Sequence, residues 1–179
     1  MKLLDIACLF GSFLIASAVS AAQPSAYAGQ EFRDIKSLSG EDVNAYLSGK
    51  GMGLAKAAEL NGYAGPAHVL ELSAQLGLTP DQRARTEALF SAMASKATML
   101  GQALVVEERK LDRLFAARTI TPESLSSSLS EIGSLQAKVR RAHLEAHLVQ
   151  VEILTPEQNA RYAQLRGYGT SEDSGHGHH

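Results

Sequence analysis

The chain has 179 residues, enough for one ordinary domain, with 45% hydrophobic and 20% charged residues. A net charge of −2 carries neither the basic excess of a nucleic-acid binder nor the acidic excess of a disordered chain. Aromatic residues are few, Trp is absent, and Ala, Leu, Glu, Gln and Arg dominate, so an all-α fold is expected.

The chain opens with Lys2 and the apolar run Ile6–Val19, followed by small-x-small sites at Val19-Ser20-Ala21 and Ala26-Tyr27-Ala28. This pattern predicts a secretory signal peptide over residues 1–28, with an apolar run short for a membrane span. The mature protein is expected in the periplasm, with no stable membrane insertion after cleavage. The single Cys8 lies inside this segment, and Asp5 stands where a lipoprotein signal would need an apolar residue. The mature chain therefore has no disulfide and no thiol chemistry.

Residues 29–64 read as an irregular region with two short helical patches, EDVNAYL and GLAKAAEL. The stretch GKGMG between them lacks the full phosphate-loop spacing and follows no strand, so it reads as a connector. A turn cluster, NGYAGP, ends the region. A helix is predicted over Ala67–Leu76, with Val69, Leu72 and Leu76 on one face.

Next comes LTPDQ at residues 78–82, and the same phrase returns as LTPEQ at 154–158. Thr is a favoured N-cap, and Pro suits the first helical position because no N–H is lost there. The acidic residue complements the helix dipole, and Gln three residues after Thr completes a capping box. ITPES at 120–124 is a weaker third copy. The three caps divide the remaining chain into long helices over 80–117 and 122–153 and a short one from Pro156 to about Leu165. The first long helix has Met93, Ala97, Leu100, Leu104, Leu111, Leu114 and Phe115 at helical spacing. The second carries Ile132, Leu135, Val139, Ala142, Ala146, Val149 and Ile153 in a 3-4 repeat, a seam for antiparallel packing. The short link ARTI folds the pair into a hairpin. Leu89, Phe90, Leu144, Leu148 and Val151 lie off this seam, so a homodimer is expected. Residues 169–179 should form a loose histidine-containing tail.

A secreted, cysteine-free helical chain with LTxxQ before its second and fourth helices resembles the LTxxQ family of bacterial envelope proteins. Its members include the chaperone-like Spy and CpxP and the heavy-metal proteins CnrX and ZraP. The likeness covers residues 65–168. It implies a four-helix hooked hairpin, dimeric and periplasmic, that is not an enzyme. It further implies either metal binding in heavy-metal resistance or ATP-independent binding of unfolded client proteins. A partnership with a membrane sensor protein is a third alternative.

The histidines bear on that choice. His143 and His147 are spaced i,i+4 in HLEAH, so they stack on one helix face and can share a divalent ion such as zinc, copper or nickel. The alternative is that they simply edge the apolar seam. In an antiparallel hairpin His143 is expected opposite roughly Lys96, and His147 near Met93, a soft donor. The resemblance to CnrX implies a further ligand from an early helix, for which His68 is the weaker candidate, with Glu71 beside it. His176, His178 and His179 make a weak tail site. Catalytic patterns fail on spacing: Glu145 is misplaced for HExxH, the mature chain has no Cys for a deaminase site, and no G-x-S-x-G occurs. The basic residues Lys138, Arg140, Arg141, Arg109, Lys110 and Arg113 read as solvated helix faces, with client binding as the alternative.

Overall fold

The computed structural model describes Gln23 and residues 25–168. The expected signal peptide over residues 1–28 and the tail after Tyr168 therefore lie largely or wholly outside the described residues. The chain divides after Glu31. In the first unit Ser25 Oγ accepts from the Tyr27 N–H at 3.2 Å, and the Ala26 carbonyl accepts from the Gln30 side chain. The second unit runs from Phe32 onward and holds the helices.

Seven α-helices and no strand form among the described residues. They are α1 (Gly40–Leu47), α2 (Lys56–Glu59), α3 (Pro66–Glu71), α4 (Ser73–Leu76), α5 (Pro80–Ala116), α6 (Pro122–Ile153) and α7 (Pro156–Leu165). The all-α expectation holds. The two short patches expected before residue 64 form α1 and α2, and the four helices expected after it become five. The added one arises because the helix expected over Ala67–Leu76 breaks at Leu72, whose ψ of 11 lies outside the helical range. Val69 and Leu76, on either side of the break, both enter a core cluster with Ala64, Leu154 and Tyr162.

All three Thr-Pro phrases cap helices. Thr79 Oγ1 accepts from the Gln82 N–H at 3.2 Å, and Gln82 Oε1 accepts from the Thr79 N–H at 3.1 Å. Thr155 and Gln158 repeat this at 3.2 and 3.0 Å. In the third copy Ser124 replaces Gln and its hydroxyl closes the same box. The two glutamines do something further. Gln82 Nε2 donates to Gln158 Oε1 at 2.7 Å, and Gln158 Nε2 donates to Gln82 Oε1 at 3.0 Å. Their remaining donors reach Ile153 O at 3.0 Å and Leu76 O at 3.3 Å. The repeated phrase thus builds two caps whose side chains clasp each other.

The long helices α5 and α6 pack along each other in antiparallel register. Gln82 meets Ile153, Gln150 Nε2 donates to Thr86 Oγ1 at 3.2 Å, and Lys96 pairs with Glu145 at 2.9 Å. Leu104, Ile132 and Leu135 form a second core cluster, against which Tyr46, Leu100 and Leu111 pack. Val149 and Phe115 depart from the expected seam: both are exposed, Val149 at 45%.

Short elements cover one side of the pair. Helix α1 rests on α5, where Gly101 lets the Tyr46 carbonyl approach so closely that any Cβ would collide with it. Before α1, Asp34 pairs with Arg109 at 2.9 Å, Lys36 with Asp112 at 3.1 Å, and Ser37 Oγ donates to Glu108 at 2.9 Å. These contacts strap residues 34–37 to α5 above the buried Ile35. Helices α2 and α3 both pack on α6, and α4 meets α7. Among the described residues, nothing covers the opposite face of α5. Its apolar stretch is long enough to cross a membrane by length and composition, yet only 28% of that window is buried.

Candidate metal centre

Both histidines of the HLEAH pair are buried, His143 at 4% exposure and His147 at 8%. They do not face α5. The register places Glu145, between them in sequence, against Lys96, with Arg141 bonding the same carboxylate at 2.6 Å. Met93 lines a groove with Ala142, Glu145, Ala146 and Val149. The expected pairing of His143 with Lys96 and His147 with Met93 is therefore replaced by contacts on the other side of α6. There the glycine-rich segment before α3 folds over the two imidazoles.

His147 Nδ1 lies 2.8 Å from the Tyr63 carbonyl oxygen. A carbonyl only accepts, so Nδ1 carries a proton, and in the neutral ring the lone pair then lies on Nε2. The Glu71 carboxylate, 2.8 Å from His68 Nδ1, likewise takes a hydrogen bond from that nitrogen. Metal-ligating histidines are oriented in this way, with one nitrogen donating to an oxygen and the other free to bind. His68 and His147 line one open cavity of about 360 Å³, together with Gly51, Met52, Lys56 and Glu59.

Glu59 is the residue that sequence reasoning missed. It ends the four-residue helix α2, and its side chain is 12% exposed. Its Oε1 accepts from three donors, whereas its Oε2 is buried with no hydrogen-bond partner. That free oxygen lies 3.7 Å from His147 Nδ1. Gly65 leaves a gap between the two side chains. A Cβ there would stand 3.0 Å from His147 Nε2 and 3.2 Å from Glu59 Oε2. No sequence signal pointed to Glu59 beyond an acidic residue in a helical patch.

His143 lies one turn away. Its Nε2 is buried without a partner, and Gly51 passes beside its ring. Burial, followed by the neighbouring His147, lowers its pKa and favours the neutral imidazole. The structure thus brings His68, His147 and Glu59 to one cavity with His143 adjoining. His176, His178 and His179 fall outside the described residues. Among the described residues, no three His, Cys, Asp or Glu side chains converge closely enough to hold a metal ion as they stand. What fits a cation is the chemistry of the donors: two imidazoles that use Nδ1 for a hydrogen bond to oxygen, and an unpartnered carboxylate oxygen.

A family model described as heavy-metal resistance matches residues 52–161, a span that runs from Met52 in this cavity to Arg161 in α7. No curated protein and no solved structure matches the chain.

Proposed function

This chain belongs to the heavy-metal resistance family, and from that premise we propose that it is a periplasmic protein that binds a divalent transition metal between α2, α3 and α6. His147 Nε2, His68 Nε2 and Glu59 Oε2 are the proposed donors, with His143 as a further one. The observation that carries this reading is that His68 and His147, at one cavity, both engage an oxygen through Nδ1, beside a buried carboxylate oxygen with no partner. Zinc, copper or nickel suits imidazole and carboxylate donors. Binding would draw His68, the most exposed of the three, towards the other two.

Titration calorimetry of zinc into protein with His176, His178 and His179 changed to Ala tests the site. We expect one ion per chain, with His147→Ala and Glu59→Gln each weakening it at least tenfold. Gly65→Ala should also weaken it by filling the gap. Heat no greater than dilution would sink the metal reading.

A second reading has its own support. The bare face of α5 exposes Met99 and Val106, and Leu148 is exposed on α6, which suits a hooked-hairpin holding chaperone that binds unfolded clients. We assign the α5 face instead to a second copy of the chain in a homodimer. Aggregation assays separate the two. A chaperone would protect a client without added metal and equally well after His143→Ala and His147→Ala.

A further inference from the structure

The three donors on Glu59 Oε1 all come from the C-terminal end of the described chain. Tyr162 Oη donates at 2.5 Å, Arg166 Nε at 3.2 Å and Tyr168 Oη at 3.1 Å. Arg166 also donates to Tyr168 Oη at 3.3 Å and lies over that ring, 5.7 Å from its centroid, so the donors brace one another. The Tyr162 ring is 1% exposed within the core around Val69 and Leu76. Its hydroxyl has a second role: it accepts from the Gly65 N–H at 3.4 Å. One phenol oxygen therefore touches both the carboxylate and the glycine that bound the proposed metal gap. A carboxylate buried in such a place needs hydrogen-bond donors to offset the water it has lost. Here every donor falls on one oxygen, so the other is left bare and aimed towards His147.

We propose that Tyr162, Arg166 and Tyr168 are positioning residues for metal binding, which clamp Glu59 by one oxygen and present the other as a ligand. This rests on the metal reading above, and it extends the site to the helix that the second LTPEQ phrase starts. None of the three side chains would touch the ion. For Arg166 and Tyr168 the effect would pass through Glu59, and for Tyr162 through Glu59 more than through its longer contact to Gly65, which gives the proposal a signature that a merely structural role lacks.

The test is a double-mutant cycle on zinc affinity in the full chain with the three tail histidines changed to Ala. Tyr162→Phe keeps the ring in its core and removes only the hydroxyl. Zinc affinity should fall about tenfold, the usual loss when a group that orients a ligand is removed. In the Glu59→Gln background the same change should cost less than about twofold, because the clamp then has no carboxylate to hold. Tyr168→Phe, at the periphery, should repeat the pattern with about a threefold loss, and it serves if Tyr162→Phe impairs folding. An equal loss in both backgrounds would show that Tyr162 acts through general packing, and would overturn the proposal. Unchanged affinity in Tyr162→Phe would overturn it too, while leaving the metal reading intact. Absence of zinc binding in the parent protein would overturn both.

Discussion

Replacing Gln82 by Ala removes four side-chain hydrogen bonds at once: the Thr79 cap, the Ile153 carbonyl and both bonds to Gln158. Each amide has two donor hydrogens and two acceptor lone pairs, and the clasp uses all of them on both residues. At ~1 kcal/mol net per neutral bond, discounted because the site is only part-buried, the loss should be about 2–3 kcal/mol. Gln158→Ala should cost the same. The two bonds that join the glutamines are counted in both single variants but lost only once in the double. The double variant should therefore be about 1.5–2 kcal/mol less damaged than the sum of the singles. Urea unfolding at fixed m-value measures this. A sharper control is Gln82→Glu. A capping box accepts Glu as readily as Gln. The clasp does not, because a carboxylate has no donor for Ile153 and Gln158 and sets charge against their oxygens. Glu should thus be at least as harmful as Ala. Additivity within ~0.5 kcal/mol, or a Gln82→Glu variant as stable as the parent, would mean the two phrases are independent caps and the clasp is incidental.

Gly101→Ala should destabilise by about 1–3 kcal/mol in urea, because its methyl would displace the Tyr46 carbonyl, despite the ~1 kcal/mol that Ala gains in helix propensity. The depressed pKa of His143 gives a pH dependence. The unfolded chain takes up the proton near pH 6.5 and the folded chain only below that. Stability is then fully present above about pH 6.5 and falls as pH drops through the lowered folded value, by at most ~1.4 kcal/mol per unit for one proton. His143→Gln should flatten the urea midpoint between pH 7.5 and 5.5; an unchanged slope would refute this assignment. Met99, 63% exposed on the bare face of α5, should tolerate Glu in a monomer but not in a dimer interface. Sedimentation of Met99→Glu should show the chain's monomer mass, against twice that for the parent.

The helices most legible in the sequence were those with Thr-Pro starts. Helices α5, α6 and α7 begin where their caps predict, since a capping box is a contact within four residues. The candidate site was half legible. The i,i+4 spacing named His143 and His147 correctly as neighbours on one face but not what lies across from them. A 3-4 apolar repeat defines a stripe on its own helix and says nothing of the partner's axial position, so Lys96 was assigned to His143 when it meets Glu145. Val149 continues the repeat and is nevertheless exposed, because nothing in the repeat specifies where cover ends. Glu59 was illegible for a different reason. Its meaning comes from Tyr162, Arg166 and Tyr168, over a hundred positions away, and from a gap at Gly65.

The buried Thr86–Gln150 pair bears on how α5 and α6 find their alignment. Apolar stripes that repeat every seven residues fit almost as well after a slide of one repeat, about 10 Å along the axis at 1.5 Å per residue. Surface burial alone would leave such misaligned hairpins nearly degenerate with the native one. Thr86 and Gln150 have 0% exposure, and Gln150 Nε2 finds its acceptor in Thr86. A slide of one repeat towards the C-terminus of α5 would set that amide against the Met93 thioether, a weak acceptor. That setting leaves a buried donor poorly satisfied, at a cost of ~1–3 kcal/mol. The pair works as a vernier against that slide, raising the energy of the misaligned setting relative to the native one.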